Sequence, residues 1–261
     1  EGPDDAAGDP AYVREARMTG NRVLLLFRNT SMLSHWPQAN SHKWPNNHEG
    51  VHMADGISLM IGARVFIENN NPGTDSTVVD DINEINQRND LDTLYFCQTT
   101  WTHSKEVDWD PTGTIEWGLK PAPGYCNPAN DYVAMSNIPD SWPIDGWPAR
   151  PGENLKWPGE WNGRFGRGVK YADQECFFVV NDAQDLEYLE EEDTIKYYPR
   201  GDLKLGDKRD IARFGPLTTQ NGKPWGGIGA RIEVRGFQWN NPQARDAIFW
   251  EYNISNISDY D

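Results

Sequence analysis

A chain of 261 residues is long enough to bury a substantial core, as one large domain or two modest ones. Hydrophobic residues make up 37% and mean hydropathy is −0.76, so the interior must draw on its 12 Trp, 10 Tyr and 9 Phe. Forty acidic against 24 basic residues give a formal charge of −16, and no apolar run nears the ~20 residues of a bilayer span, so neither a nucleic-acid partner nor membrane insertion is expected.

The polar opening, Glu1 to Pro10, reads as a mature N-terminus. Residues 1–20 are expected as a flexible lead segment before a single β-rich region over 21–261. Asp9-Pro10 is an N-cap followed by proline at the first helical position, which predicts a short helix toward Met18. Arg22–Arg28, with its run Val23-Leu24-Leu25-Leu26-Phe27, predicts a buried strand.

Asn46-Asn47-His48-Glu49-Gly50-Val51-His52 contains the letters H-E-x-x-H, which on a helix set two histidines on one face for zinc with a glutamate to activate water. Here Pro45 and two asparagines precede the motif, Gly50 lies inside it and Gly56 follows. Glycine costs about 1 kcal/mol per helical position, so the expected form is a polar loop and zinc is not the favoured ligand. His35, His42, His48 and His52 cluster in sequence, which leaves a non-catalytic metal site as the weaker variant.

Ile57–Ile67 and Thr93–Thr99 read as strands, and Asp75–Arg88 as the best helix, with Val78, Val79, Ile82 and Ile85 near helical spacing. From Trp101 to Asp173 the chain turns rich in Pro, Gly and Trp; Trp-Pro occurs five times in the whole sequence. A stretch this long with so few strands is expected as an ordered loop excursion pinned over the sheets by its own rings. Within it Asp108, Asp110, Thr112, Gly113, Ile115 and Glu116 match an EF-hand-like spacing. Asp108, Asp110, Thr112 and Glu116 are therefore the candidate ligands for calcium, although Leu119 stands where a bidentate Glu belongs. Gly163–Gly168, GRFGRG, has a phosphate-loop flavour but follows no clear strand and opens no clear helix, and is discounted.

Glu175–Asn181 reads as a strand and Asp182–Glu192 as a short acidic turn or helix. Ala230–Trp239 and Ala247–Ile254 form the clearest hairpin, in which Ile248, Trp250, Tyr252 and Ile254 alternate as in a half-buried antiparallel strand. The overall expectation is mostly β: antiparallel, sandwich-like sheets with long Trp/Pro-rich loops and one or two short helices. Cys97, Cys126 and Cys176 leave at least one thiol unpaired; one disulfide and three buried free thiols are both open.

Asp140-Ser141-Trp142-Pro143, Trp157-Pro158-Gly159-Glu160-Trp161-Asn162-Gly163, Ala172 to Asp182 and Gly229 to Trp239 occur in an order resembling the N-terminal region of large secreted bacterial proteins. Gly20-Asn21-Arg22-Val23, Gly62-Ala63-Arg64-Val65 and Tyr252-Asn253-Ile254-Ser255-Asn256 extend the resemblance over nearly the whole chain. Many members of that family are long cell-surface proteins ending in a type IX secretion sorting domain. The resemblance implies an extracellular, surface-attached location and a chain continuing beyond residue 261, and it carries no activity with it.

The leading expectation is a non-catalytic structural, adhesive or assembly module whose partners are copies of itself or other surface proteins. A secreted glycan-binding protein or glycoside hydrolase with a Trp-lined groove is the second. A zinc-dependent hydrolase using His48, Glu49 and His52 is the third. Buried tryptophans favour the first; facing carboxylates flanked by exposed tryptophans favour the second.

Overall fold

The computed structural model describes residues 8–35, 38–68, 91–99, 119–150, 152–181, 187–190, 193–195 and 229–257. Within them the protein is mostly β, with every strand pairing antiparallel. The first sheet runs in the order β1 (Glu15–Met18), β2 (Leu24–Arg28), β3 (His42–Trp44), β4 (Val51–His52). The third has the order β11 (Glu187–Glu190), β12 (Asp193–Ile195), β5 (Met60–Glu68), β6 (Leu91–Thr99). Between them in importance lies the second, with order β14 (Phe249–Asn256), β13 (Ala230–Gln238), β10 (Gln174–Asn181), β7 (Lys120–Pro121). A small hairpin joins β8 (Asn162–Gly163) to β9 (Gly166–Arg167).

The first and second sheets face each other across one core. Ala16 and Met18 of β1 and Leu25 and Phe27 of β2 meet Cys176, Phe178 and Val180 of β10 and Ile232 and Val234 of β13. These are alternate residues on each strand, as a pleat with period two requires. The other face of β10 is buried too. Phe177 and Val179 pack under Trp147, Trp157 and Trp161 from the Pro-rich excursion, with Ala122 and Ala134. All eight residues of β10 are therefore buried. Each fully buried large aliphatic or aromatic side chain contributes roughly 1.5–3 kcal/mol, so this two-sided strand concentrates the stability of the fold.

One end of the sandwich is closed by a polar clamp. Gln174 and Gln238 are register partners on β10 and β13. The Gln174 side-chain oxygen accepts from the Thr19 amide at 2.7 Å, and that of Gln238 accepts from Gly20 at 2.6 Å. Gln238 also donates to Asn21 Oδ1 and to the Val23 carbonyl, each at 2.8 Å. The β1–β2 turn is thereby fixed to the opposite sheet with its buried polar groups matched.

The six strands read from the sequence are all present with shifted ends, and the last two form the expected hairpin, β13–β14. Of the alternating set, Ile248 just before β14 and Trp250 and Tyr252 on it pack toward the core, while Ile254 is 54% exposed near the strand's end. The helix expected over Asp9–Met18 is corrected. Asp9 does cap a turn, accepting from the Ala11 amide at 2.8 Å, but the helix is a single 3-10 turn, Pro10–Tyr12. Glu15 to Met18, inside the stretch read as a flexible lead, instead pair with Leu25 to Arg28. Glu187–Glu190, inside the stretch read as a short acidic turn or helix, is a strand of the third sheet. The Asp75–Arg88 helix lies outside the described residues. Cys126 and Cys176 are free thiols, and burial raises the pKa of both.

Candidate functional site

The H-E-x-x-H letters fall in the turn between β3 and β4, not on a helix. Val51 and His52 pair with Trp44 and Lys43, so the motif straddles a turn and a strand and its imidazoles share no helical face. A Cβ at Gly50 would collide with the Pro45 carbonyl oxygen, so the glycine inside the motif is required by this tight turn. His48 and Glu49 are 90% and 75% exposed and 3.9 Å apart, and His52 Nε2 lies 3.2 Å from Asp55 Oδ1. Among the described residues no three His, Cys, Asp or Glu side chains converge as a metal would need. The calcium candidates Asp108, Asp110, Thr112 and Glu116 lie outside the described residues.

Two of the cavities lined by described residues bear on function. The first, of about 490 Å³, opens where the two sheets part and is mostly apolar, with Leu25, Leu33, Ile248 and Trp250 in its walls. Trp44 stands at its mouth, its Nε1 donating to Asp246 Oδ1 at 2.8 Å. The Arg22 guanidinium lies 5.4 Å over the indole and 3.0 Å from the same carboxylate, so one ring face is already occupied. His42 lines this cleft with its Nδ1 buried and, among the described residues, without a hydrogen-bond partner. Burial, and secondarily the neighbouring His52, lowers its pKa.

The second cavity, of about 350 Å³, sits on the opposite face of β13 and β14 and is polar. Alternation along β13 places Arg231, Glu233 and Arg235 on that face, with Asn253 and Glu251 of β14 beside Glu233 and Arg235 in register. The excursion closes the other side with Tyr125, Arg150, Asn162 and Arg164. Arg235 is only 7% exposed, and its guanidinium rests 3.9 Å from the centre of the Phe177 ring. Desolvation brings its pKa down to about 10, partly countered by Glu233. Arg164 binds Glu251, and Arg231 lies 3.4 Å from Glu233 and donates to the Tyr125 hydroxyl at 2.9 Å.

Sequence reading missed this pocket, although two signals were present. One is the alternation Arg231-x-Glu233-x-Arg235 between the apolar Ala230, Ile232 and Val234; the other is the discounted GRFGRG stretch. That stretch forms the β8–β9 hairpin and delivers Arg164 to the pocket wall.

Among the described residues, three of the large rings that a sugar groove would use are packed away. Trp147, Trp157 and Trp161 are at most 5% exposed. Trp147 Nε1 donates to the Glu160 carbonyl at 2.7 Å and Trp142 Nε1 to that of Met135 at 2.7 Å. Trp161 Nε1 donates to Glu175 Oε2 at 2.8 Å, while the other Glu175 oxygen accepts from the amides of Tyr171 and Ala172. No protein-family model, curated protein or solved structure matches this chain. No helix among the described residues is long and apolar enough to cross a membrane.

Proposed function

We propose that the chain is a non-catalytic structural module of a secreted, surface-attached protein, which assembles with further copies of itself. The observation that supports this most is where the tryptophans are spent. Among the described residues, four rings that a glycoside hydrolase or lectin could display along a groove, Trp142, Trp147, Trp157 and Trp161, are committed instead to a third layer over β10. A rigid, doubly covered strand suits a part that bears load or repeats in an assembly.

The edge of the second sheet supplies the surface for it. β14 is the outermost strand of that sheet among the described residues. Phe249 and Ile254 on it are 48% and 54% exposed. An eight-residue edge with exposed apolar side chains is a template for pairing with another chain. The formal charge of −16 opposes approach of like copies, so association is expected to strengthen as salt screens that repulsion.

Sedimentation of the chain over a concentration series, at low and high salt, tests the reading. Concentration-dependent association that grows with salt and is weakened by Ile254→Lys is the expected result. A monomer under every condition overturns it.

A further inference from the structure

The structure points to an anion site in the arginine-walled pocket: we propose that it binds the carboxylate of an acidic sugar, a uronate-type ring. The inference does not rest on self-assembly, because it concerns a pocket and a small ligand and not pairing along the free edge of the sheet.

Among the described residues of the lining the charges do not balance: four arginines face two glutamates. Arg164 pairs with Glu251 and Arg231 with Glu233, which leaves Arg150 and Arg235 without a carboxylate within salt-bridge distance among the described residues. Glu153, on Arg150's own turn, is bound to Arg167 at 2.8 Å. Asn162 holds the two remaining guanidiniums instead. Its side-chain oxygen accepts from Arg150 Nε at 3.0 Å and lies 3.5 Å from Arg235 Nη2, while its main-chain oxygen accepts from Arg235 Nη1 at 2.6 Å. Gly163 O takes Arg150 Nη2 at 2.6 Å.

Carbonyl and amide oxygens orient a guanidinium but do not neutralise it. Two like charges converging on one oxygen, one of them more than nine-tenths buried, is an arrangement that costs stability when no anion is present. A planar oxyanion accepting from both forks would offset that cost with charge-assisted hydrogen bonds. The arrangement is the more pointed because the chain as a whole is strongly acidic.

The rest of the lining selects among anions. Two uncompensated guanidiniums accept a carboxylate or a dianion alike, so the selection comes from the polar groups beside them. Glu233, Asn253 and the Tyr125 hydroxyl are acceptors and donors suited to ring hydroxyls. About 350 Å³ lies in the small-molecule range of roughly 300–1,000 Å³ and accommodates a sugar ring, not a folded partner.

Calorimetric titration of the full chain with glucuronate and galacturonate tests this, with glucose as the neutral ring and inorganic sulfate as the ringless anion. At least one uronate is expected to bind, more weakly as salt is raised, with glucose silent and sulfate weaker. Arg150 is only partly buried, so Arg150→Gln is expected to keep the melting temperature while weakening uronate binding about tenfold or more. Tyr125→Phe provides a second, milder variant, expected to weaken the uronate but not sulfate. Absence of uronate binding, glucose binding as well as uronate, or an Arg150→Gln protein of unchanged affinity overturns the site. Sulfate bound as tightly as the uronate overturns the sugar assignment.

Discussion

Gly236 lies in one rung of the second sheet between Cys176 and Trp250. A Cβ there would stand 2.8 Å from Cys176 Sγ and 3.0 Å from two atoms of the Trp250 indole. The missing side chain lets that indole lie across the strand and meet Phe27 edge-on at 5.3 Å. Gly236→Ala is therefore expected to cost about 1–3 kcal/mol by overpacking. It should read as a lower denaturation midpoint with unchanged slope; a midpoint within error of the parent would refute the close approach. His42 gives a pH prediction at the same scale. Burial holds its folded pKa below the ordinary imidazole value of about 6.5, so protonation favours the unfolded chain. The stability is intact above about 6.5 and is lost as pH falls from there toward the folded value, by at most about 1.4 kcal/mol per pH unit. Melting curves across that window should show the fall, and His42→Gln should flatten it. Neither role was legible in the chain alone: a lone strand glycine and one histidine among four nearby carry no mark of what lies across from them.

Among the elements, the layer of tryptophans is the one whose role was anticipated and whose chemistry was not. The sequence showed rings needing a surface; it did not show that Trp161 also supplies a hydrogen bond to the buried Glu175. Trp161→Phe keeps most of the packing and removes that donor, so about 1–3 kcal/mol should be lost. Thermal unfolding would show this, and an unchanged melting temperature would mean the indole only fills space. The misread helix at Asp9–Met18 failed for a related reason. Its start signals are real and produce one turn, but Ala16 and Met18 are buried while Arg17 is exposed, a period of two imposed by pairing with β2. Tertiary pairing overrode local propensity.

At the scale of the whole molecule, the class was readable because strands with alternating faces announce themselves one segment at a time. The site was not, because a pocket is a property of segments far apart. Tyr125, Arg150, Asn162, Arg235 and Glu251 come from separate elements, and only the stacking of the excursion on the second sheet brings them together. The same separation explains why four of the twelve tryptophans could be expected to pack yet not be placed against Phe177 and Val179.

The alternation along β13 has one more effect. Ile232 and Val234 face the core while Arg231, Glu233 and Arg235 face the pocket. Sliding β13 by a single residue against its neighbours would turn those three charges inward and the aliphatics outward. The misaligned sheet would have to desolvate two guanidiniums and a carboxylate against Phe178 and Met18, an error too costly to persist. The ionic row thus proofreads the sheet during folding, whatever it later holds.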